Sequence, residues 1–131
     1  QPPARQAGHQ LMRALLANTL LVIALVLSGL AQAGDQADAE VQYLLEFVAA
    51  SGCTFERNGS EHSSPDAADH LRLKYRRGGR YVNSAEQFID RLASESSWTG
   101  KLYTVTCGET TQPSGEWLHQ ALSDYREQEP K

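Results

Sequence analysis

Ser51-Gly52-Cys53-Thr54-Phe55-Glu56-Arg57-Asn58-Gly59 ends one helix, plants a cysteine, runs a short strand and turns back. Cys53, Phe55 and Arg57 alternate with Thr54 and Glu56, the period of a strand with one buried face. Asn58-Gly59 is a strong hairpin signal, because both residues tolerate the positive φ that a type I′ turn requires. The return strand runs from Ser60 only to about His62. Ser63-Ser64-Pro65-Asp66 then reads as a helix start, with a hydroxyl cap, a proline in the first turn and an acid at the positive end of the dipole.

On the N-terminal side of this hairpin, Val41, Leu44, Leu45 and Val48 fall at helical spacing with Tyr43 and Phe47 beside them. Asp38 can cap that helix and Ser51-Gly52 stops it, while residues 34–40, small and acidic, read as a flexible leader. On the C-terminal side, Ala68, Leu71 and Tyr75 mark a second helix over about Pro65 to Arg77, ended by Gly78-Gly79. Asn83 followed by Glu86 resembles a capping box for a third helix, whose core face is Ala85, Phe88, Ile89, Leu92 and Ala93. Lys101 to Cys107 reads as a strand and Thr110 to Pro113 as a loop. Ser114 is the expected cap of a last helix that buries Trp117, Leu118, Ala121, Leu122 and Tyr125, with 127–131 fraying. The predicted fold is α+β: a small single domain of about four helices on a short three-stranded antiparallel sheet.

The chain has 131 residues, and its first 33 read as something other than domain. Leu15 to Leu30 is almost wholly apolar, Arg13 supplies a positive flank, and Ala31 and Ala33 suit a signal peptidase, so the expected product is an exported protein beginning at Gly34. Met12 is the expected start. No lipidated cysteine follows the apolar run, and no membrane anchor is expected after cleavage. Arg5 and Arg13 are the only two of the 12 Lys and Arg residues before Gly34; the remainder therefore carries 10 cations against 16 acids, a formal charge of −6. Such a balance argues against a nucleic-acid partner, which rewards a basic surface.

A domain of roughly a hundred residues is at the small end for a self-sufficient core. Cys53 and Cys107, the two cysteines of an exported chain, are read as a structural disulfide, because a redox-active pair usually has Cys-x-x-Cys spacing. The bond would tie the start of the first strand to the end of the last and restrict the unfolded chain by about 4 kcal/mol on the chain-entropy account.

Candidate chemistry is sparse. His62, His70 and His119 do not sit at metal-ligand spacing, and neither metal nor cofactor is expected. Arg72, Lys74, Arg76, Arg77 and Arg80 concentrate half of the positive charge that follows Gly34. They read either as a solvated helix end, whose cations suit the dipole, or as an anion-contacting patch. Trp98 lies in the polar turn Ser96 to Lys101, off any helical stripe, and is either exposed as a binding anchor or folded back over the core. The candidate binding surface joins Arg57 and Lys101 to those cations and to Trp98. The enzyme alternative is a small hydrolase using Ser96 or Ser97 as nucleophile, His62 or His70 as base and Asp66 or Asp69 to orient it, although no Gly-x-Ser-x-Gly elbow or Ser-x-x-Lys arrangement is present there.

Several separated motifs together resemble the YfeK-like family of short exported bacterial proteins, a domain of unknown function: the Ser51 to Gly59 stretch, Ala67-Ala68-Asp69-His70-Leu71 with Lys74-Tyr75, Ala85-Glu86-Gln87-Phe88-Ile89, and Ser96-Ser97-Trp98-Thr99-Gly100-Lys101-Leu102-Tyr103. The resemblance spans about Val41 to Tyr125 and departs at Leu102, where proline is expected. It implies an exported envelope protein of a Gram-negative bacterium and supplies no catalytic residues. The resulting expectation is a periplasmic, noncatalytic module that binds an envelope protein or a cell-wall component.

Overall fold

A computed structural model describes residues 34–129. The expected signal segment, including Ala31 and Ala33, lies outside the described residues, as do Pro130 and Lys131. Residues 34–50 are helical (α1), and the compact unit begins at Gln36. The stretch read as a flexible leader is therefore helix. The reason is polar: Glu40 is only 4% exposed and its carboxylate takes both Nε and an Nη of Arg126, 86 residues away, while Asp38 accepts from the Tyr75 hydroxyl. Val41, Leu44, Leu45 and Val48 form the buried stripe of α1. Ser51 caps its end by donating from Oγ to the Val48 carbonyl, and Gly52 at φ +68° lets the chain turn off.

The chain then forms β1 (Thr54–Arg57), β2 (Ser60–His62), α2 (Ser64–Gly78), a 3-10 turn (Gly79–Tyr81), α3 (Ala85–Phe88) running on into a π-helical turn (Ile89–Ala93), β3 (Thr104–Cys107), β4 (Thr110–Pro113) and α4 (Ser114–Gln128). The sheet order is β2-β1-β3-β4, antiparallel throughout. Asn58 at φ 51° and Gly59 at φ 81° make the expected hairpin turn, and Thr54 lies opposite Thr106 as a link between Cys53 and Cys107 requires. The disulfide between those cysteines is formed.

The sheet has four strands where three were expected. Thr110–Pro113 is an edge strand joined to β3 by a two-residue turn, with Gly108 at φ +63°. Pro113 is tolerated because an edge strand leaves one side without ladder partners. Two predicted caps also move. Ser84, not Asn83, caps α3 by accepting from the Gln87 amide, and Gln87 reaches back to the Asn83 amide. Ser114 lies inside α4, and its hydroxyl donates instead to the Ala93 carbonyl.

One face of the sheet presents Phe55 and Val105 to a core of Leu44, Leu45, Phe88, Ile89 and Leu118, while Thr54 and Glu56 face water. Burial at about 25 cal/mol per Å² of apolar surface is the main stabilising term. Half-buried aromatic side chains close its flank: Trp117 packs on Phe47 at 4.7 Å and on Phe55 at 5.5 Å, and Tyr125 stacks on Tyr43 at 4.0 Å. No helix among the described residues is long and apolar enough to cross a membrane.

Candidate functional site

The site forms where the β1-β2 turn meets the loop between α3 and β3. Asn58 bridges the two: its Nδ2 donates to Ser96 Oγ at 3.3 Å, and its Oδ1 accepts from Thr99 Oγ1 at 2.7 Å. Ser96 is 5% exposed, and its hydroxyl also accepts from the amides of Trp98 and Thr99. The amide of Ser96 donates to the Lys101 carbonyl, and that of Gly100, at φ +71°, to the Ser96 carbonyl. This closed turn holds the Trp98 side chain out in water at 97% exposure, which resolves the two sequence readings in favour of the exposed one.

Opposite the turn stands α2, with Lys74 and Arg77 on the same side. Lys74 Nζ donates to the Glu95 carbonyl at 3.2 Å and to Tyr103 Oη at 3.1 Å. Burial foremost, and then the charge of Arg57, lowers the pKa of the Lys74 ammonium, while Glu95 pulls it the other way. Burial raises that of the Tyr103 hydroxyl against an opposing effect of Arg57. Arg57, at the end of β1, donates to Nδ1 of His70. Arginine has no acceptor, so His70 takes the bond on an unprotonated Nδ1 and carries its hydrogen on Nε2. Desolvation, Arg57, Lys74 and His62, in that order, hold the His70 pKa down at about 4.

These groups enclose an open cleft of about 340 Å³, with Arg57, Lys74 and Arg77 as its cations, Trp98 and Tyr103 as its aromatic walls, and Ser60 and Ser97 among its hydroxyls. Among the described residues no carboxylate lines it and none of the three cations is salt-bridged. Beneath it, sharing Arg57, His62, His70 and Tyr103, is a void of about 30 Å³ walled by Phe55, Ala67, Leu71, Ala93 and Leu118, room for a single water. Nε2 of His62 and of His70 are buried without a partner among the described residues.

The structure thus gathers four of the eight surface residues named from the sequence: Arg57, Lys74, Arg77 and Trp98. Arg72 is drawn away to Glu46 at 2.9 Å and Asp69 at 3.2 Å, and Arg80 stacks over the Tyr81 ring at 4.8 Å. Arg76 and Lys101 are exposed outside the cleft lining. Tyr103 and Asn58 were not singled out as site residues; Tyr103 reads as a strand residue and Asn58 as a turn former, and the sequence pattern carries no further signal.

Ser96 Oγ faces three donors, and among the described residues neither it nor Ser97 is hydrogen-bonded to a histidine. Asp69 is engaged by Arg72 rather than by a histidine. Among the described residues no group of three or more His, Cys, Asp or Glu converges on a metal position.

A protein-family model described as a family of unknown function (DUF5329) matches residues 35–126. The chain is 38% identical over 85 residues to the uncharacterized protein YfeK of Salmonella typhimurium, covering 64% of this chain and 71% of that one. No solved structure matches the chain.

Proposed function

The chain belongs to the DUF5329 family of YfeK-like proteins, and from that premise we propose that it is an exported, noncatalytic envelope module that captures an anionic ligand in the cleft of Arg57, Lys74, Arg77 and Trp98. The observation that carries this reading is that three cations, none salt-bridged among the described residues, line one concave site on a chain whose formal charge is −4. Like charges held together cost free energy, offset at Lys74 only in part by Glu95, and a bound anion neutralises them. The disulfide supports an oxidising compartment, and the apolar stretch before Ala33 supports export to the periplasm. The ligand would belong to an envelope protein or to a cell-wall component.

The test is an NMR titration with pyrophosphate at low and high salt. Amide shifts should cluster at Arg57, Lys74, Arg77 and Ser97 and shrink with salt, as screening requires. Neutralising Arg57, Lys74 and Arg77 to Gln should abolish them, whereas Arg76→Gln with Arg80→Gln, which removes exposed charge outside the cleft, should not. Shifts scattered over the surface, or equal loss in both variants, would refute the assignment. Periplasmic fractionation and sequencing of the mature N-terminus check the export half of the proposal, which predicts a chain starting at Gly34.

A further inference from the structure

Resting on that anion-binding reading, we propose that the ligand is an acidic saccharide unit. It would be a pyranose carrying a carboxylate or phosphate, with its C–H face on the Trp98 indole and its anionic group among Arg57, Lys74 and Arg77.

Trp98 decides the ring. Its side chain is 97% exposed, yet its backbone is fixed by the Ser96 hydroxyl in a turn bolted to Asn58. The cleft therefore presents a flat, electron-rich face to water on a backbone fixed in advance of binding, so the ordering cost of association falls on the indole side chain rather than on the loop. A cationic partner for that face is disfavoured by the three cations of the same cleft. A neutral ring with an anionic substituent satisfies both the face and the cations.

The donor inventory decides the substituent. Lys74 has three N–H groups, two of them already engaged by the Glu95 carbonyl and Tyr103 Oη, which leaves one. Arg57 has five, of which His70 takes one. Arg77 donates to no other described residue in the hydrogen-bond network. A carboxylate or phosphate accepts from several such donors at once, with the charge assistance that a neutral hydroxyl lacks.

The walls separate a sugar from a nucleotide. The cleft's amide, Asn58, which would suit a nucleobase edge, is engaged at both Oδ1 and Nδ2. Ser60 and Ser97 offer hydroxyls, each able to donate and accept, which suit the ring hydroxyls of a pyranose. The volume of about 340 Å³ is at the small end of ligand pockets and suits one sugar with its acid rather than a longer chain.

The experiment is calorimetry on the wild-type protein with glucuronic acid, glucose 6-phosphate, glucose, inorganic phosphate and adenosine monophosphate. In parallel, Trp98 emission is read in a Trp117→Phe background, which leaves a single tryptophan. Glucuronic acid or glucose 6-phosphate should bind at least tenfold tighter than glucose and quench Trp98, and the better of the two identifies the anionic group. Trp98→Ala should weaken the acidic sugar at least fivefold while leaving inorganic phosphate unchanged. Should Trp117→Phe fail to fold, the Trp98→Ala comparison by calorimetry carries the result alone. Equal binding of glucose, or tenfold tighter binding of adenosine monophosphate, overturns the saccharide assignment. Phosphate matching the acidic sugars with Trp98 silent overturns the ring contact and leaves the anion cleft standing. Binding of no anion at all overturns both readings.

Discussion

Arg57 donates a guanidinium N–H to Nδ1 of His70, thirteen residues further along the chain, so a neutral imidazole on α2 fixes the direction of a cation on β1. A protonated imidazole has no lone pair to give and would repel its neighbour. His70 is held at about 4, below the ordinary 6.5, by burial first and then by Arg57, Lys74 and His62. The unfolded chain takes up a proton near 6.5 that the folded chain refuses until about 4. The contribution of His70 to stability is therefore complete above about pH 6.5, declines through the window from 6.5 to 4, and is lost below it. Denaturant midpoints should fall across that window, and His70→Gln should flatten that part of the fall. An imidazole that titrates by NMR near 6.5 would refute the account.

Arg126 holds two elements through one guanidinium. It reaches both oxygens of Glu40 on α1, at 2.6 and 3.0 Å, and an oxygen of Glu86 on α3. The Glu40 side chain is 5% exposed and that of Arg126 42%. Removing the arginine leaves a buried carboxylate without its partner, and partial exposure of the pair brings the cost below the usual range for buried ion pairs. Arg126→Ala is expected to cost about 2 kcal/mol in chemical denaturation. Arg126→Leu with Glu40→Leu should recover most of it. Full additivity of the two changes would show that they do not interact.

The Ser96 and Trp98 substitutions should separate stability from binding. Ser96 Oγ accepts from three donors, so Ser96→Ala is expected to cost about 1 to 2 kcal/mol. Trp98→Ala, at an exposed position, should stay within about 0.5 kcal/mol of the wild type. In a Trp117→Phe protein the remaining emission should be red and readily quenched by acrylamide. A blue, protected spectrum would mean that the indole is covered.

Gly115 is required by a close approach rather than by its backbone angle. A Cβ there would lie 2.4 Å from Ser94 Oγ and 3.3 Å from Ser94 Cβ, and that hydroxyl is already engaged with the Ile89 carbonyl at the π-helical turn. Gly115→Ala should destabilise by about 1 to 3 kcal/mol, the usual cost of overpacking. Adding Ser94→Ala should return part of the loss, because the clashing oxygen is gone. A neutral Gly115→Ala, measured by thermal or urea unfolding, would show that α4 shifts freely.

The hairpin at Asn58-Gly59, the disulfide and the buried stripes of the helices were legible because each rests on local chemistry: positive φ, paired thiols, apolar periodicity. Thr110–Pro113 was not. An edge strand of Thr, Thr, Gln and Pro has no hydrophobic alternation to betray it, and its pairing depends on β3. The helical start before Val41 was hidden for a similar reason, since its anchor is Arg126, far away in sequence. In the cleft, the types of residue were legible and their counterions were not. Arg72 and Arg77 look alike on paper, but only one finds Glu46 and Asp69 beside it. Trp98 could be placed in a polar turn, while its exposure depended on where Asn58 fastened that turn.

The bridge between Cys53 and Cys107 also has a topological meaning. Arg57, Lys74, Arg77, Trp98 and Tyr103 all lie on the closed loop of chain it defines, and α1 and α4 leave that loop as two tails. A protease that cuts once within the loop severs the polypeptide but releases no fragment, since both halves stay joined through sulfur. Trimming of either tail likewise leaves every cleft side chain on one covalent ring. Parting Arg57 from Trp98 takes a second cut within the loop, or one cut there together with reduction of the disulfide.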